Sequence, residues 1–414
     1  MAAAVGPERS LELAIAAGKV FSPSAPIDER SLFAGRRQQM IQAIDAVNQK
    51  GQHAIIFGDR GVGKTSLANV LNVFLPISEN VSAIRVNCDT GDTFDSVWRK
   101  VFSEAQANEN VVVGGFHAAS QPARLDAAED FVTPEIVRRQ LTLMAQRAIP
   151  IIIIDEFDRI SDSYRAIFAD TIKTLSDHAV PATVILVGVA DSVDQLIAEH
   201  ESIQRALVQV KMPRMLKEEI KEVVNNGLST LGMAIESDAL DRVVVLSQGI
   251  PHYAHLLGLH AARAALARLT LTVDRSVLDD ATHRAIQGAQ QSIRSALHRA
   301  TISPRKDNLF FEVLLSCALA KSDEMGTFAA QDVRIPMQCI TGKPYDIPSF
   351  AQHLNEFSEG KRGNILKKIG ASRRFRYRFS NPLMQPFVIM SGFSEGKLTN
   401  ETLAAITASN PAIL

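Results

Sequence analysis

Short strand-like runs recur through the first half of the chain, at Ala54–Phe57, Ala83–Asn87 (broken by Arg85), Ile151–Ile154 and Thr183–Val187, all but the second densely apolar. Runs of this length, rich in β-branched residues and without strict alternation, predict strands buried on both faces. Between them the spacing is helical. Met40, Ile41, Ile44 and Val47 precede the first run, and Leu67, Val70, Leu71 and Phe74 follow it. Thr133-Pro134-Glu135 predicts another helix start, because a proline in the first turn gives up an N–H that has no partner there anyway. Buried strands alternating with helices predict an α/β domain, a parallel sheet covered by helices on both faces.

The pattern then changes twice. From about Pro213 to Leu297 the strand signal disappears and helical groups take over, among them Ile220, Val223, Val224 and Leu240, Val243, Val244. Near Asp307 a third composition begins. Helices are predicted over Phe310–Leu319, Thr327–Ile340 and Ile347–Phe357, the last opening at Pro348. Arg374-Phe375-Arg376-Tyr377-Arg378-Phe379 alternates strictly, as a half-buried strand does. Helix, helix, helix and basic strand hairpin is the order of a winged-helix module. Residues 104–130 hold few large apolar side chains and predict a loop or insertion. The expected division is an N-terminal arm and linker (1–31), an α/β core (32–212), a helical lid (213–300), a winged-helix domain (301–395) and a tail (396–414).

At 414 residues the chain has ample apolar material for two or three cores. A net charge of −1 excludes a globally basic nucleic-acid binder but leaves local patches open. Cys88, Cys317 and Cys339 are too few and too scattered for a disulfide framework or a zinc site, a usage that fits a reducing cytosol. The stretch Leu11–Val20 is broken by Glu12 and Lys19 and reads as a short helix, not a signal peptide. No window approaches the length needed to cross a bilayer, so a cytoplasmic protein without a membrane partner is expected.

The chemistry begins directly after the first apolar run. Gly58-Asp59-Arg60-Gly61-Val62-Gly63-Lys64-Thr65-Ser66 is a complete G-x-x-x-x-G-K-[ST] phosphate loop between a buried strand and a helix starting at about Lys64. The glycines let the backbone wrap an anion, and the helix N-terminus turns its N–H groups toward the phosphates. Lys64 is expected to reach the β- and γ-phosphates of ATP, and the Thr65 hydroxyl to coordinate Mg2+.

Asp155-Glu156-Phe157-Asp158 follows the third run. Asp155, at the strand tip, is placed to hold Mg2+, and Glu156 to orient and deprotonate the attacking water. Asp158 reads as a residue that solvates the strand end or caps the next helix. Beyond the fourth run, Asp191 or Ser192 could hold the water near the γ-phosphate or simply cap a helix, since both are favoured N-caps. Arg205 follows Glu201-Ser202-Ile203-Gln204 at the end of a polar helix. It either reaches the γ-phosphate of a neighbouring subunit or makes a surface ion pair.

These residues resemble the AAA+ ATPases, particularly the initiator-like branch of origin-recognition and archaeal replication-initiator proteins. The likeness rests on Leu32–Arg36, Gly58–Ser66, Ile151–Glu156, Gly188–Ser192 and the helical segment from Pro213. It implies an AAA+ lid, a sensor-1 position at Asp191 or Ser192, and an arginine finger acting in trans near Arg205 within a homo-oligomer. In Gly249-Ile250-Pro251-His252-Tyr253, which resembles the sensor-2 region, His252 stands where the family carries an arginine. Pro251 and His252 are therefore the expected lid contacts to nucleotide, with an imidazole that supplies no permanent charge. Gly-x-Pro at this place is also similar to the signalling relatives called STAND ATPases and to the transposition ATPases of the TniB type.

The densest basic stretch lies in the third region: Lys361, Arg362, Lys367, Lys368, Arg373, Arg374, Arg376 and Arg378, with no carboxylate between 361 and 378. Side chains of this kind on a wing contact the phosphates of duplex DNA. The expectation is a Mg2+-dependent ATPase acting as a nucleotide-dependent switch on DNA. The alternative is a STAND-type signalling ATPase whose C-terminal module binds a protein partner.

Overall fold

The computed structural model describes residues 5–23, 35–75, 80–112, 131–197, 203, 205–305, 307–370 and 374–409. They group into two compact units. One is Pro26–Asp59 with Gly63–Met212; the other is Met1–Ala25 with Arg60–Val62 and Pro213–Leu414. Helix α1 (Pro7–Val20) opens the chain and belongs to the second.

The α/β unit runs α2 (Arg37–Asn48), β1 (His53–Gly58), α3 (Lys64–Phe74), β2 (Val81–Asn87), α4 (Phe94–Val112), α5 (Pro134–Met144), β3 (Ile149–Asp155), α6 (Asp162–Asp177), β4 (Thr183–Val189) and β5 (Leu207–Met212). The sheet order is β2-β3-β4-β1-β5, with every neighbouring pair parallel. Parallel strands put all their carboxyl ends on one rim, where ligands of open α/β sheets bind. Strand β5 was not among the expected elements. Leu207, Val210 and Met212 are buried while Gln209 is exposed, so this edge strand lacks the dense apolar run of the central ones. Residues 104–112, expected within a loop, extend α4, and 113–130 lie outside the described residues.

The rim is braced from one side by an aromatic cluster. Phe157, which follows the Asp155-Glu156 pair, is fully buried and meets Phe168 edge-on at 5.1 Å. Phe168 in turn meets Phe94 at 4.9 Å and stacks on Trp98 at 6.3 Å. Aromatic contacts of this geometry add about 0.5–1.5 kcal/mol each beyond burial, and here they anchor the loop that carries the acidic pair.

His53 ties β1 to β4, its Nδ1 accepting the Val184 N–H at 3.0 Å. Burial pushes this imidazole down to about 4, and does the same to His255 in the second unit. Both are neutral when folded and titrate near 6.5 when unfolded, so between these values the unfolded chain binds more protons. The stability they contribute is complete above pH 6.5 and is lost as pH falls toward 4. A melting series from pH 7.5 to 4 should show that decline, and His53→Gln should flatten part of it.

The second unit adds α7 (Lys217–Thr230), β6 (Ala234–Ile235), α8 (Ser237–Ser247), α9 (Pro251–Ala267), β7 (Thr272–Val273), α10 (Arg275–Gln287) and α11 (Gln291–Thr301). It continues with α12 (Phe310–Ala318), β8 (Phe328–Ala329), α13 (Arg334–Thr341), α14 (Ile347–Phe357), β9 (Leu366–Ile369), β10 (Arg376–Phe379), α15 (Met384–Ser394) and α16 (Asn400–Ser409). Strands β8, β10 and β9 form an antiparallel sheet in that order. The stretch expected as one helix over Thr327–Ile340 opens instead with β8 and a 3-10 turn, because the Ala329 N–H is taken by Asp332 Oδ2 at 2.8 Å.

Buried polar bonds join the earlier and later halves of this unit. Gln385, 3% exposed, donates to the Ala318 carbonyl and to Gln248, and accepts from Arg214 at 2.7 Å. Tyr253 donates to the Leu383 carbonyl at 2.6 Å. Helix α1 packs on α9, with Ser10 Oγ donating to the Leu266 carbonyl. Phe21, fully buried, fills a notch between Gly227 and Gly258, where an added Cβ would sit 2.4 and 2.5 Å from its ring. The N-terminal arm is part of this unit's core.

Candidate nucleotide site

The phosphate loop leaves β1 at Gly58, where a Cβ would stand 2.3 Å from the Met212 carbonyl oxygen of β5. Gly61 and Gly63 take φ of 85° and 95°, which side chains resist. Gly63 caps α3, so the first N–H groups of that helix face the loop's interior. Lys64 is 8% exposed and donates to the carbonyls of Gly58 at 3.0 Å and Asp59 at 2.7 Å. Its ammonium thus rests on carbonyls of the loop itself.

Two strands from β1, β3 ends in Asp155, whose side chain is 4% exposed. Its Oδ1 accepts the Glu156 N–H at 2.8 Å, and its Oδ2 pairs with Arg85 of β2 at 2.8 Å. Glu156 has φ 56° and ψ 33°, a left-handed conformation that costs a non-glycine residue about 1 kcal/mol or more. The twist turns the carboxylate outward, where it is 41% exposed and pairs with Arg159 at 3.1 Å. Register pairs Ile154 with Leu186 and Phe57 with Gly188, so the acidic pair and the phosphate loop both leave the carboxyl rim of the sheet.

Asp158 does more than solvate the strand end or cap a helix. Its Oδ1 accepts the Val189 N–H at 2.8 Å, tying the acidic loop to the end of β4, where Gly188 allows the close approach. Just beyond, the Asp191 N–H is held by Gln195, and Ser192 opens a 3-10 turn without capping it through its side chain. Arg205 is exposed in the turn before β5, and its carbonyl accepts from Gln52. Residues 198–202 and 204 lie outside the described residues.

A carboxylate at a strand tip and the hydroxyl of Thr65 are hard oxygen donors, the kind Mg2+ prefers. They fit the ion, with Asp155 and Thr65 the groups that would hold it. No cluster of His, Cys, Asp and Glu suited to a metal on its own occurs among the described residues. No helix there is long and apolar enough to cross a membrane, and the three cysteines are unpaired with one another.

The two residues expected to contact nucleotide from the lid stand differently. Pro251 starts α9 and is buried, and His252 Nδ1 lies 2.8 Å from the Pro23 carbonyl of the N-terminal arm. Burial holds this imidazole below its usual value. Its ring is engaged with the arm.

The basic stretch divides by role. Arg362, 14% exposed, pairs with Glu356, donates to the Ala300 and Ile302 carbonyls and covers the Phe310 ring. These groups engage its guanidinium within the unit. Arg376 bonds Thr327 and Asp323. Lys368 reaches Asn355 and lies over Phe375. Lys361, Lys367 and Arg374 are exposed, and Lys367 stands directly opposite Arg378 across the hairpin. Arg373 lies outside the described residues, as do Leu32–Ala34.

Sequence reasoning passed over Arg85. The signal available was a lone arginine between Ile84 and Val86 in a strand.

The model of the family Novel STAND NTPase 1 matches residues 26–334. A Walker-type ATPase of Pyrococcus abyssi is similar in fold at a TM-score of 0.52 and 16% identity, over 89% of this chain and 99% of that one. Cdc6p of Pyrobaculum aerophilum gives 0.48 and 14%, over 92% and 99%. The Aeropyrum pernix ORC1 protein, solved in complex with DNA, gives 0.46 and 14%, over 92% and 97%. No curated protein matches the chain.

Proposed function

Because the chain belongs to the Novel STAND NTPase 1 family, we propose that it is a Mg2+-dependent ATPase working as a nucleotide-dependent switch. One observation carries the reading. Lys64 in its loop, the Asp155-Glu156 pair and the end of β4 occupy one rim of a parallel sheet, with Glu156 held in a left-handed conformation. Lys64 would bind the phosphates, Asp155 and Thr65 the metal, and Glu156 would take the proton of the attacking water. Binding and hydrolysis would favour different members of two states. Arg205, exposed, would complete the site of a second copy, giving a specific activity that rises with protein concentration.

Lys64→Ala should weaken binding of a fluorescent ATP analogue by about 10–100-fold, the worth of a charge-assisted bond to phosphate. Affinity equal to the parent's would remove Lys64 from the site.

For the output we read 301–395 as a winged helix, supported by the order helix, strand, two helices and hairpin. Exposed Lys367, Arg374 and Arg376 would meet the phosphates of duplex DNA, with Lys367 and Arg378 adjacent across the hairpin. Lys367→Ala with Arg374→Ala should lower the salt dependence of DNA binding by about two counterions and leave ATP turnover intact. The neutralisation of Arg362 and Arg376 by Glu356 and Asp323 favours a second reading, a protein partner on the same module. Absence of any salt-dependent DNA binding by the parent would select it.

A further inference from the structure

The Asp155 carboxylate is nearly inaccessible, and a buried carboxylate is tolerated only when it is paired. Its partner here is Arg85, one strand over on β2, at 2.8 Å through a single guanidinium nitrogen. Arg85 Nε is buried without a hydrogen-bond partner, so the guanidinium gives up one donor to hold this position. Beside it opens a surface cavity of about 630 Å³, lined by Arg85, Asn87, Ser96, Lys100, Ser103 and Glu104. Glu104 is exposed there.

We propose that Arg85, reaching Asp155 from the strand on the far side of β3 from the phosphate loop, holds that carboxylate until Mg2+ arrives with nucleotide, and so sets how strongly the metal is coupled to nucleotide binding. The inference rests on the reading of Asp155 as the metal-holding carboxylate. A guanidinium and a divalent cation on one carboxylate repel each other, at close range and shielded from solvent. Metal binding therefore has to draw Asp155 Oδ2 away from Arg85. The cavity, lined by the acidic Asp95 and Glu104 as well as Arg99 and Lys100, gives the displaced guanidinium room. Arg85 is a positioning residue: it touches neither phosphate nor water and acts through Asp155.

The test is the ratio of affinities of the full-length chain for a non-hydrolysable fluorescent ATP analogue with excess Mg2+ and with EDTA. That ratio is the metal–nucleotide coupling, and a purely structural arginine would not move it upward. Arg85→Gln should raise it at least about tenfold, the smaller estimate for a lost charged hydrogen bond. Arg85→Lys keeps the charge without the fixed fork and should raise it by a smaller factor, which decides the matter if the Gln variant does not fold. A ratio at or below the parent's in the folded variants overturns the role of Arg85. Asp155→Asn separates the two levels. It should abolish most of the metal's benefit; if the benefit survives, Asp155 is not the metal carboxylate and both readings fall.

Discussion

Glu156→Gln is expected to bind ATP as tightly as the parent while turning it over about 10²–10⁴-fold more slowly. The amide matches the carboxylate in size but cannot accept the proton of the attacking water. Its effect should thus fall on kcat and not on binding. The left-handed backbone at Glu156 is followed by the fully buried Phe157, and its N–H is held by Asp155, neither of which depends on the charge of residue 156. The amide oxygen still accepts from Arg159; only the charge of that pair is lost, and the pair is half exposed and worth little. Single-turnover kinetics beside analogue binding would separate the two effects. Brisk hydrolysis by the variant would take Glu156 out of the base role.

Phe21→Ala carries the second large effect, a loss of about 3–5 kcal/mol from the unit that contains it. The ring is fully buried against Gly227 of α7 and Gly258 of α9, with His255 edge-on at 6.0 Å. The glycines make the claim sharper. In the parent, Gly258→Ala should destabilise, since its methyl would stand 2.5 Å from the ring. With Phe21 already replaced by Ala, the same change should stabilise by about 1 kcal/mol, from helix propensity and partial filling of the notch. Denaturant midpoints of the four proteins test this reversal of sign. Additive effects would mean that the arm is not packed as described.

Much of the α/β unit was legible because its strands are buried on both faces, and burial writes itself as dense runs such as Ile151–Ile154. Strand β5 escaped notice since its Gln209 and Lys211 interrupt the apolar run at the edge. The phosphate loop and the acidic pair could be found from spacing alone, because the chain places those groups next to one another. Long-range pairings left no such trace. Nothing near Arg362 in sequence announces the Ala300 carbonyl or the Phe310 ring, so its charge looked available for phosphate. His252 read as a substitute for a lid arginine, whereas its partner is a carbonyl 229 residues away. Arg85 meets Asp155 across 70 residues, through a strand register that composition does not encode.

The most direct test of the account is steady-state ATP hydrolysis by the full-length protein, titrated with Mg2+ and repeated with and without duplex DNA. The account predicts turnover that requires the metal and disappears in Lys64→Ala. It further predicts that DNA changes the rate in the parent but not in the double variant carrying Lys367→Ala and Arg374→Ala. Absence of metal-dependent hydrolysis under every one of these conditions would contradict it.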